Sequence, residues 1–285
     1  KAGKGRGLDK IKEAVARASQ ELNTEAGAYL TKSVGDAEKF ARLASLEAET
    51  KGEKVRLIAC GGDGTLNEVL NGVMGFDSTS VGVMPIGTGN DFVRNFSDTD
   101  SFLDVCAQIN ADTVKCDSGI IGGREQTRYC ANMFNIGFDC NVVDLTARLK
   151  TYPLLKGSIA YLTAVAGILI KKKGANLKIE IDGETVHEGP LLLTAIANGS
   201  FCGGGVKSSP KASLNDGLID ANIIYNVTRR EFIRKFPAYS KGTHFQLSDI
   251  DKIFYYRQCR DVVITPLDGT MRLCTDGEIT DAGRV

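Results

Sequence analysis

The sequence predicts two domains, an α/β domain with a parallel sheet over residues 1–117 and a mostly antiparallel β-sandwich domain over residues 118–285. Three observations carry that expectation. In the first part, short apolar runs alternate with helical spacings, the order that builds a parallel sheet with helices on both faces. Beyond about residue 115 the texture changes to strand-like runs cut by Asp-Gly turn pairs. The 285-residue length has room for two medium domains, and a hydrophobic fraction of 42 % can fill a core in each.

The elements follow in order. Lys1 to Gly7 is glycine-rich and basic and reads as a loop that should follow a strand, so the first strand is expected to be missing. Leu8, Ile11, Val15, Ala18 and Leu22 recur at helical spacing. Gly27 to Thr31 reads as a short strand, and Asp36 as the cap of a helix over Ala37 to Glu49. Val55 to Cys60 is an apolar strand, Thr65 to Met74 a helix, Ser80 to Pro85 the next strand, and a short helix starts near Phe92. In the second half, strands are expected over Arg128–Ile136, Leu177–Ile181, Leu191–Asn198, Leu218–Tyr225, Lys252–Tyr256, Asp261–Thr265 and Met271–Cys274. Helical spacing occurs there only over Leu154–Lys172 and Arg229–Ser240.

Composition excludes several function classes. Lys+Arg and Asp+Glu are equal at 35 each, which argues against nucleic acid as a partner, because phosphate-backbone binding needs a basic surplus. The eight cysteines form no C-x-x-C pair and sit mostly in apolar runs, so they read as small buried hydrophobes of a reducing cytosol. Nothing at the start resembles a signal peptide. The longest apolar run, Ser158 to Ile170, would span about 20 Å as a helix against a hydrocarbon core of about 30 Å. It reads as a buried helix, with the lining of an acyl-chain groove as the alternative.

The chemistry is concentrated in two turns. Gly61-Gly62-Asp63-Gly64-Thr65 closes an expected parallel strand and opens a helix, the place where open α/β sheets bind ligands. Glycines let backbone N–H groups reach phosphate oxygens, and the helix N-terminus adds its partial positive charge. A carboxylate among phosphates repels them unless a cation intervenes, so Asp63 implies Mg²⁺. Gly87-Thr88-Gly89-Asn90-Asp91 repeats the design one strand later. Its Thr88 can donate to a phosphate, and Asp91 is a second acid for a metal or an acceptor hydroxyl.

The stretch GGDGTLNEVLNGV followed by GVMPIGTGNDFVRN resembles the catalytic domain of the diacylglycerol kinase and sphingosine kinase superfamily. Within it, the likeness is to the soluble bacterial lipid kinases. GGDGT alone is shared with NAD kinases and phosphofructokinases, whose parallel sheet the first domain is expected to share, and GTGNDF selects the lipid kinases. NIGFDCNV, GSIAYL, NGSFCGGGVKSSPKASLNDGLID and CTDGE extend the resemblance over nearly the whole chain. The family normally opens with a strand and Asn-Pro, and continues some tens of residues past DGE, so the chain is expected to be trimmed at both ends.

The resemblance implies specific roles. Gly62, Asp63, Gly64, Thr65, Leu66, Asn67 and Glu68, with Thr88 and Thr31, would line an ATP site. Asp63 would help to hold catalytic Mg²⁺, with Asp91 near the transferred phosphate. Asp216 and the carbonyls of Ser213 and Leu218 would form a second, structural Mg²⁺ site. Glu278 would be the base that deprotonates a lipid hydroxyl. Asp276 of the same element reads instead as a turn residue, since Asp-Gly is a common turn pair. Gly203-Gly204-Gly205 reads as a lip over the lipid or a simple turn. His187 and His244 have no ligand partner in spacing and read as surface or hydrogen-bonded core residues.

The implied function is an ATP-dependent kinase acting on diacylglycerol or a related membrane lipid bound in the cleft between domains. The enzyme would be cytoplasmic, peripherally associated with the inner face of the membrane, with a homodimer as an open option. Lys150, Lys156, Lys171-Lys172-Lys173 and Arg229-Arg230 read as a solvated face or as contacts to anionic headgroups. The alternatives are an NAD kinase-like enzyme acting on a soluble nucleotide and a non-catalytic nucleotide-binding module.

Overall fold

Strand β1 (Val55–Gly61) and strand β2 (Thr79–Pro85) pair in parallel, in a register that sets Gly61 opposite Pro85. That register puts the C-terminal ends of both strands, and so both glycine turns, side by side. The computed structural model describes residues 8–22, 25–122, 127–138, 140–142, 145, 167 and 174–285. The chain divides into two compact units, Lys1–Lys115 and Cys116–Val285. The expected helix over Leu154–Lys172 lies outside the described residues, apart from Gly167.

In the first unit, helix α1 (Leu8–Glu21) and helix α2 (Asp36–Lys51) precede β1, and helix α3 (Asp63–Val73) links β1 to β2. Helix α2 crosses α3 closely at Gly72, where any side chain would run into the Glu38 carbonyl and the Ala41 methyl. A short helix α4 (Val105–Asn110) follows, capped by the Asp104 carboxylate, which accepts from the N–H groups of Cys106 and Ala107. Arg56 of β1 donates to the carbonyls of Gln108, Ile109 and Ala111 at the C-terminal end of α4, where a cation complements the helix dipole.

Two local expectations fail here for identifiable reasons. Residues 25–32 are irregular and form no strand. Tyr29 stacks on Phe40 of α2 with ring centroids 4.1 Å apart, its hydroxyl donates to Asp36, and the Lys32 N–H donates to Asp36 Oδ2 at 2.7 Å. The segment is therefore fastened to a helix instead of a sheet edge. Asp36 opens α2 as its first residue, and the cap position is Gly35 at φ 79°.

Among the described residues the second unit is built on an eight-stranded antiparallel sheet, as its strand-like runs predicted. The expected Arg128–Ile136 strand is broken in two. Strand β4 (Thr127–Cys130) pairs with β3 (Gly119–Gly122), and β5 (Met133–Gly137) joins the large sheet. The long β7 (Glu184–Ala197) pairs with β6 (Ala175–Ile181) through its first half and with β5 through its second. Strand β8 (Ile219–Tyr225) covers its other edge and carries β9 (Phe254–Cys259). Strands β10 (Val262–Pro266), β11 (Met271–Thr275) and β12 (Glu278–Ala282) complete the sheet.

Side-chain alternation gives the sheet two apolar faces. Ile179, Leu191, Ile223 and Leu273 belong to one core, while Leu193, Ala195, Ile224 and Phe254 belong to a second. Helix α5 (Arg229–Ser240) packs Phe232 and Phe236 on the second core. Its start, at the expected Arg229, is fixed by a capping box between Thr228 and Glu231.

Candidate functional site

In the first unit the two turns touch backbone to backbone. A side chain on Gly87 would overlap the Gly62 Cα and come within 2.8 Å of Asn90 Oδ1. The N–H groups of Ile86 and Gly87 both donate to the Gly61 carbonyl, at 3.0 and 3.1 Å. Asn90 then locks the second turn. It adopts φ 53°, accepts from Gly87 N–H at 3.1 Å, and donates to the Pro85 and Gly87 carbonyls at 3.2 Å. A short polar residue is among the few that tolerate this left-handed backbone. The glycines are needed for close approach, and the asparagine for the bend.

Asp63 is the first residue of α3, and its Oδ1 accepts from the N–H of Asp91 at 2.7 Å and of Phe92 at 3.2 Å. The acid of one turn thus positions the acid of the other. A side chain on Gly89 would lie 2.8 Å from Asp63 Oδ2 and 3.4 Å from Asp91 Oδ2. Two carboxylate oxygens therefore flank a space that only a glycine leaves open. Asp91 is buried and has Arg94 Nε 3.7 Å from its Oδ1. Among the described residues no group of three or more His, Cys, Asp or Glu is gathered to hold a metal. A pair of oxygens still fits Mg²⁺, which binds through one or two carboxylates and fills its shell with water and substrate phosphate.

The other residues expected at the nucleotide occupy distinct places. Thr65 packs its side chain against Gly61, and Leu66 lines a small hollow with Gly62, Asp63 and Asn90. Thr88 is exposed on the second turn. Asn67 is buried and accepts from Asn71 Nδ2 at 3.2 Å. Glu68 accepts from the Ala37 N–H at 3.1 Å, at the positive end of α2. Thr31 lies half-buried in the irregular segment before α2.

In the second unit Glu278 opens β12, directly across a two-residue turn from Thr275. The turn residues Asp276 and Gly277 have φ 46° and 95°, the signs a type I′ turn requires. Asp276 is more than a turn residue. Its carboxylate accepts from the N–H groups of Ala131, Asn132 and Met133 at 2.8, 3.0 and 3.1 Å, and from the Cys130 thiol at 3.0 Å. It holds the break between β4 and β5. Burial, with the Asp276 charge beside it, pushes the Cys130 thiol far up and keeps it protonated.

Asp216 is exposed, and its oxygens accept from Leu218 N–H at 3.1 Å and from Gln258 Nε2 at 3.3 Å. Ser213 Oγ lies 3.0 Å from Asn215 Oδ1 in the same loop. Nearby Asp220 is buried, accepts from the Tyr256 hydroxyl at 2.5 Å, and is pushed up by burial. Gly203, Gly204 and Gly205 all take positive φ in a tight loop closed by paired bonds between Cys202 and Val206. None of the eight cysteines is in a disulfide, and Cys106, Cys130, Cys140, Cys259 and Cys274 are buried.

One histidine overturns its expectation. His187 is half-buried, with Nε2 3.1 Å from the Gly189 carbonyl. His244 is neither at the surface nor hydrogen-bonded. It is 1 % exposed, and neither ring nitrogen has a partner. The rings of Tyr239, Phe245 and Phe254 surround it at centroid distances of 5.3, 4.5 and 4.9 Å. Burial lowers its pKa to about 4, so the ring is neutral. The local sequence does not signal this, because two of the three rings come from α5 and β9.

The family model described as the diacylglycerol kinase catalytic domain matches residues 1–121, and the YegS C-terminal NAD kinase beta sandwich-like domain matches residues 132–283. The diacylglycerol kinase of Bacillus subtilis (strain 168) is 30 % identical over 263 residues, which cover 91 % of this chain and 81 % of that protein. The diacylglycerol kinase of Staphylococcus carnosus (strain TM300) is 31 % identical over 262 residues, covering 91 % and 80 %. The crystal structure of a diacylglycerol kinase from Bacillus anthracis str. Sterne superposes with a TM-score of 0.68 at 20 % identity, covering 100 % of this chain and 89 % of that one. That last likeness bears on the fold.

Proposed function

The chain belongs to the diacylglycerol kinase family, and from that premise we propose that it transfers the γ-phosphate of ATP to the hydroxyl of diacylglycerol or a closely related membrane lipid. The observation that carries this reading is the convergence of Asp63 and Asp91 beside Gly89, at the N-terminus of α3. Phosphoryl transfer demands little covalent work from a protein and much positioning and charge neutralisation. The turn N–H groups and the positive end of α3 would bind phosphate oxygens, and Thr88 would add a hydroxyl donor. Asp63, with Asp91, would hold Mg²⁺, which supplies neutralising charge when bound.

Glu278 is the proposed proton acceptor. As the lipid oxygen bonds to phosphorus, the bond from phosphorus to the leaving oxygen of ADP breaks, and the hydroxyl proton passes to the Glu278 carboxylate. The rigid hairpin held by Asp276 supports that role by fixing where the carboxylate starts. Asp216, with the carbonyls of Ser213 and Leu218, is proposed as a second, structural cation site of oxygen ligands. Among the described residues no helix is long and apolar enough to cross a membrane. We place the enzyme at the inner face of the membrane, with Arg229 and Arg230 at the exposed start of α5 available to anionic headgroups.

The test is transfer of labelled phosphate from ATP to a mixed lipid extract, with the product identified by mass. A phosphorylated diacylglycerol-like lipid is the expected product. Phosphorylation of NAD in place of any lipid would move the chain to a soluble-nucleotide kinase. ATP binding without transfer to any acceptor would make it a nucleotide-binding module.

A further inference from the structure

Asn198 follows the end of β7 and is 2 % exposed. Both hydrogens of its amide are used: Nδ2 donates to the Asp117 carbonyl at 2.8 Å and to the Ala131 carbonyl at 2.9 Å. Its Oδ1 is buried and has no hydrogen-bond partner among the described residues. A buried amide with a bare oxygen is costly, so packing alone does not account for an asparagine here. The carbonyls it reaches belong to a segment that Asp276 grips from the other side. The Ala131–Asn132 peptide accepts from Asn198 Nδ2 at its oxygen and donates from its N–H to Asp276 Oδ1 at 3.0 Å. The next peptide, Asn132–Met133, accepts from the N–H groups of Asn198 and Gly199, both at 2.8 Å, and donates to the same Oδ1 at 3.1 Å. Two consecutive peptide groups therefore link Asn198 to the Asp276 carboxylate. Hydrogen bonds in such a chain polarise one another, so each end helps to fix the other. The Asp276 N–H returns a bond to the Met133 carbonyl at 3.2 Å, and Glu278 lies two residues further along the same hairpin.

We propose that Asn198 is a positioning residue for Glu278: it holds the pair of peptide groups on which Asp276 anchors the hairpin, and so fixes where the proton acceptor stands. The proposal rests on the lipid-kinase reading with Glu278 as base, and deepens it by naming the group behind the hairpin. Asn198 acts through Asp276 and not on a substrate. Its loss therefore falls on the chemical step and leaves the binding of ATP and lipid in place.

Two readouts on the full chain test this. Asn198→Asp keeps the side-chain shape and removes the amide donors. Asn198→Ala removes the same donors, keeps the backbone N–H bonds, and decides the matter alone if the buried carboxylate prevents folding. In each, kcat per ATP site counted by calorimetry is expected to fall about tenfold, with KM for ATP and for lipid within about twofold of the wild type. In an Asp276→Asn background, where the other end of the linkage is already weakened, Asn198→Ala should lower kcat by less than about twofold more. The second readout is hydrogen exchange of residues 271–282 followed by mass spectrometry. Exchange there should be about fivefold faster in Asn198→Ala, the scale of one lost hydrogen bond, with the β6–β7 hairpin unchanged.

Wild-type kcat in either folded variant overturns the proposal, as does a full tenfold loss on top of Asp276→Asn. A raised KM with unchanged kcat overturns it too, because Asn198 would then act on binding. A lowered kcat with unchanged exchange over 271–282 overturns the route through the hairpin. If the wild type phosphorylates no lipid, the lipid-kinase reading fails by itself, and the exchange measurement still decides whether Asn198 holds the hairpin.

Discussion

Replacing Asp276 tests how the second unit positions its proposed base. The Asp276 carboxylate accepts from three consecutive backbone N–H groups, and their residues, Ala131, Asn132 and Met133, are only 7 %, 5 % and 2 % exposed. Hydrogen bonds to a charged acceptor contribute about 1.5–3 kcal/mol each, and buried donors left unpaired add a desolvation penalty. Asp276→Asn keeps the side-chain shape and tolerates the positive φ, so backbone strain does not enter. Its amide oxygen can serve two of the N–H groups, but its NH₂ would face the third, and the charge is lost. We expect a loss of about 2–3 kcal/mol for Asn and about 3–5 kcal/mol for Gly, which relieves the φ but offers no acceptor. The assay is urea unfolding followed by far-ultraviolet circular dichroism, since the chain has no tryptophan. The same variants should lower turnover, because Glu278 sits two residues on. A loss under about 0.5 kcal/mol for Asn would refute the idea that these bonds hold the break between β4 and β5.

Gly89→Ala should leave the fold nearly intact and sharply reduce activity, because the new methyl would lie 2.8 Å from Asp63 Oδ2 in the space between the two acids. Gly87→Ala should cost stability as well, about 2 kcal/mol or more in thermal unfolding, because its methyl meets the Gly62 backbone in addition to the Asn90 side chain. Asp63→Asn is expected to abolish Mg²⁺-dependent transfer, and an unchanged Mg²⁺ dependence would count against the metal role. Glu278→Gln is expected to remove turnover while ATP binding persists; normal turnover would sink the base assignment. His244 titrates near 6.5 when unfolded and at about 4 when folded, so the folded state resists its protonation. Stability from this group is fully present above pH 6.5 and lost as pH falls toward 4, in total about 3 kcal/mol. Acid unfolding curves of His244→Phe should lack that component, and matching curves would disprove it.

Much of the architecture was legible because each signal is local. The apolar runs of β1 and β2 ending in glycine turns announce a parallel pair, and the register that sets Gly61 against Pro85 follows from it. Asp182-Gly183 and Asp276-Gly277 announce two-residue hairpins, and both take the positive φ values such turns need. Gly27 to Thr31 has strand-like residues, but its aromatic ring found Phe40 and its backbone found Asp36. Propensity over five residues is a weak prior, and a single stacking contact with two hydrogen bonds outweighs it.

The candidate site divides along the same line. Glycines and acids within one turn are readable because their chemistry depends on neighbours in sequence. What Asp63 does to Asp91 is not readable, since the bond spans 28 positions and depends on strand register. Asp276 is the sharper case: as half of an Asp-Gly pair it has a sufficient local explanation, and that explanation conceals a carboxylate reaching back some 145 positions. His244 is concealed in the opposite way. Its neighbours in sequence, Thr243 and Phe245, describe an ordinary turn, and it takes rings from α5 and β9 together with that of Phe245 to strip its ring of water. Both residues were hard to read because burial of a polar group is a tertiary event. The energetic consequence is also largest there, because a donor or acceptor removed from water must find a partner in the fold or in a ligand. Asp276 found its partners in the fold, and neither ring nitrogen of His244 did.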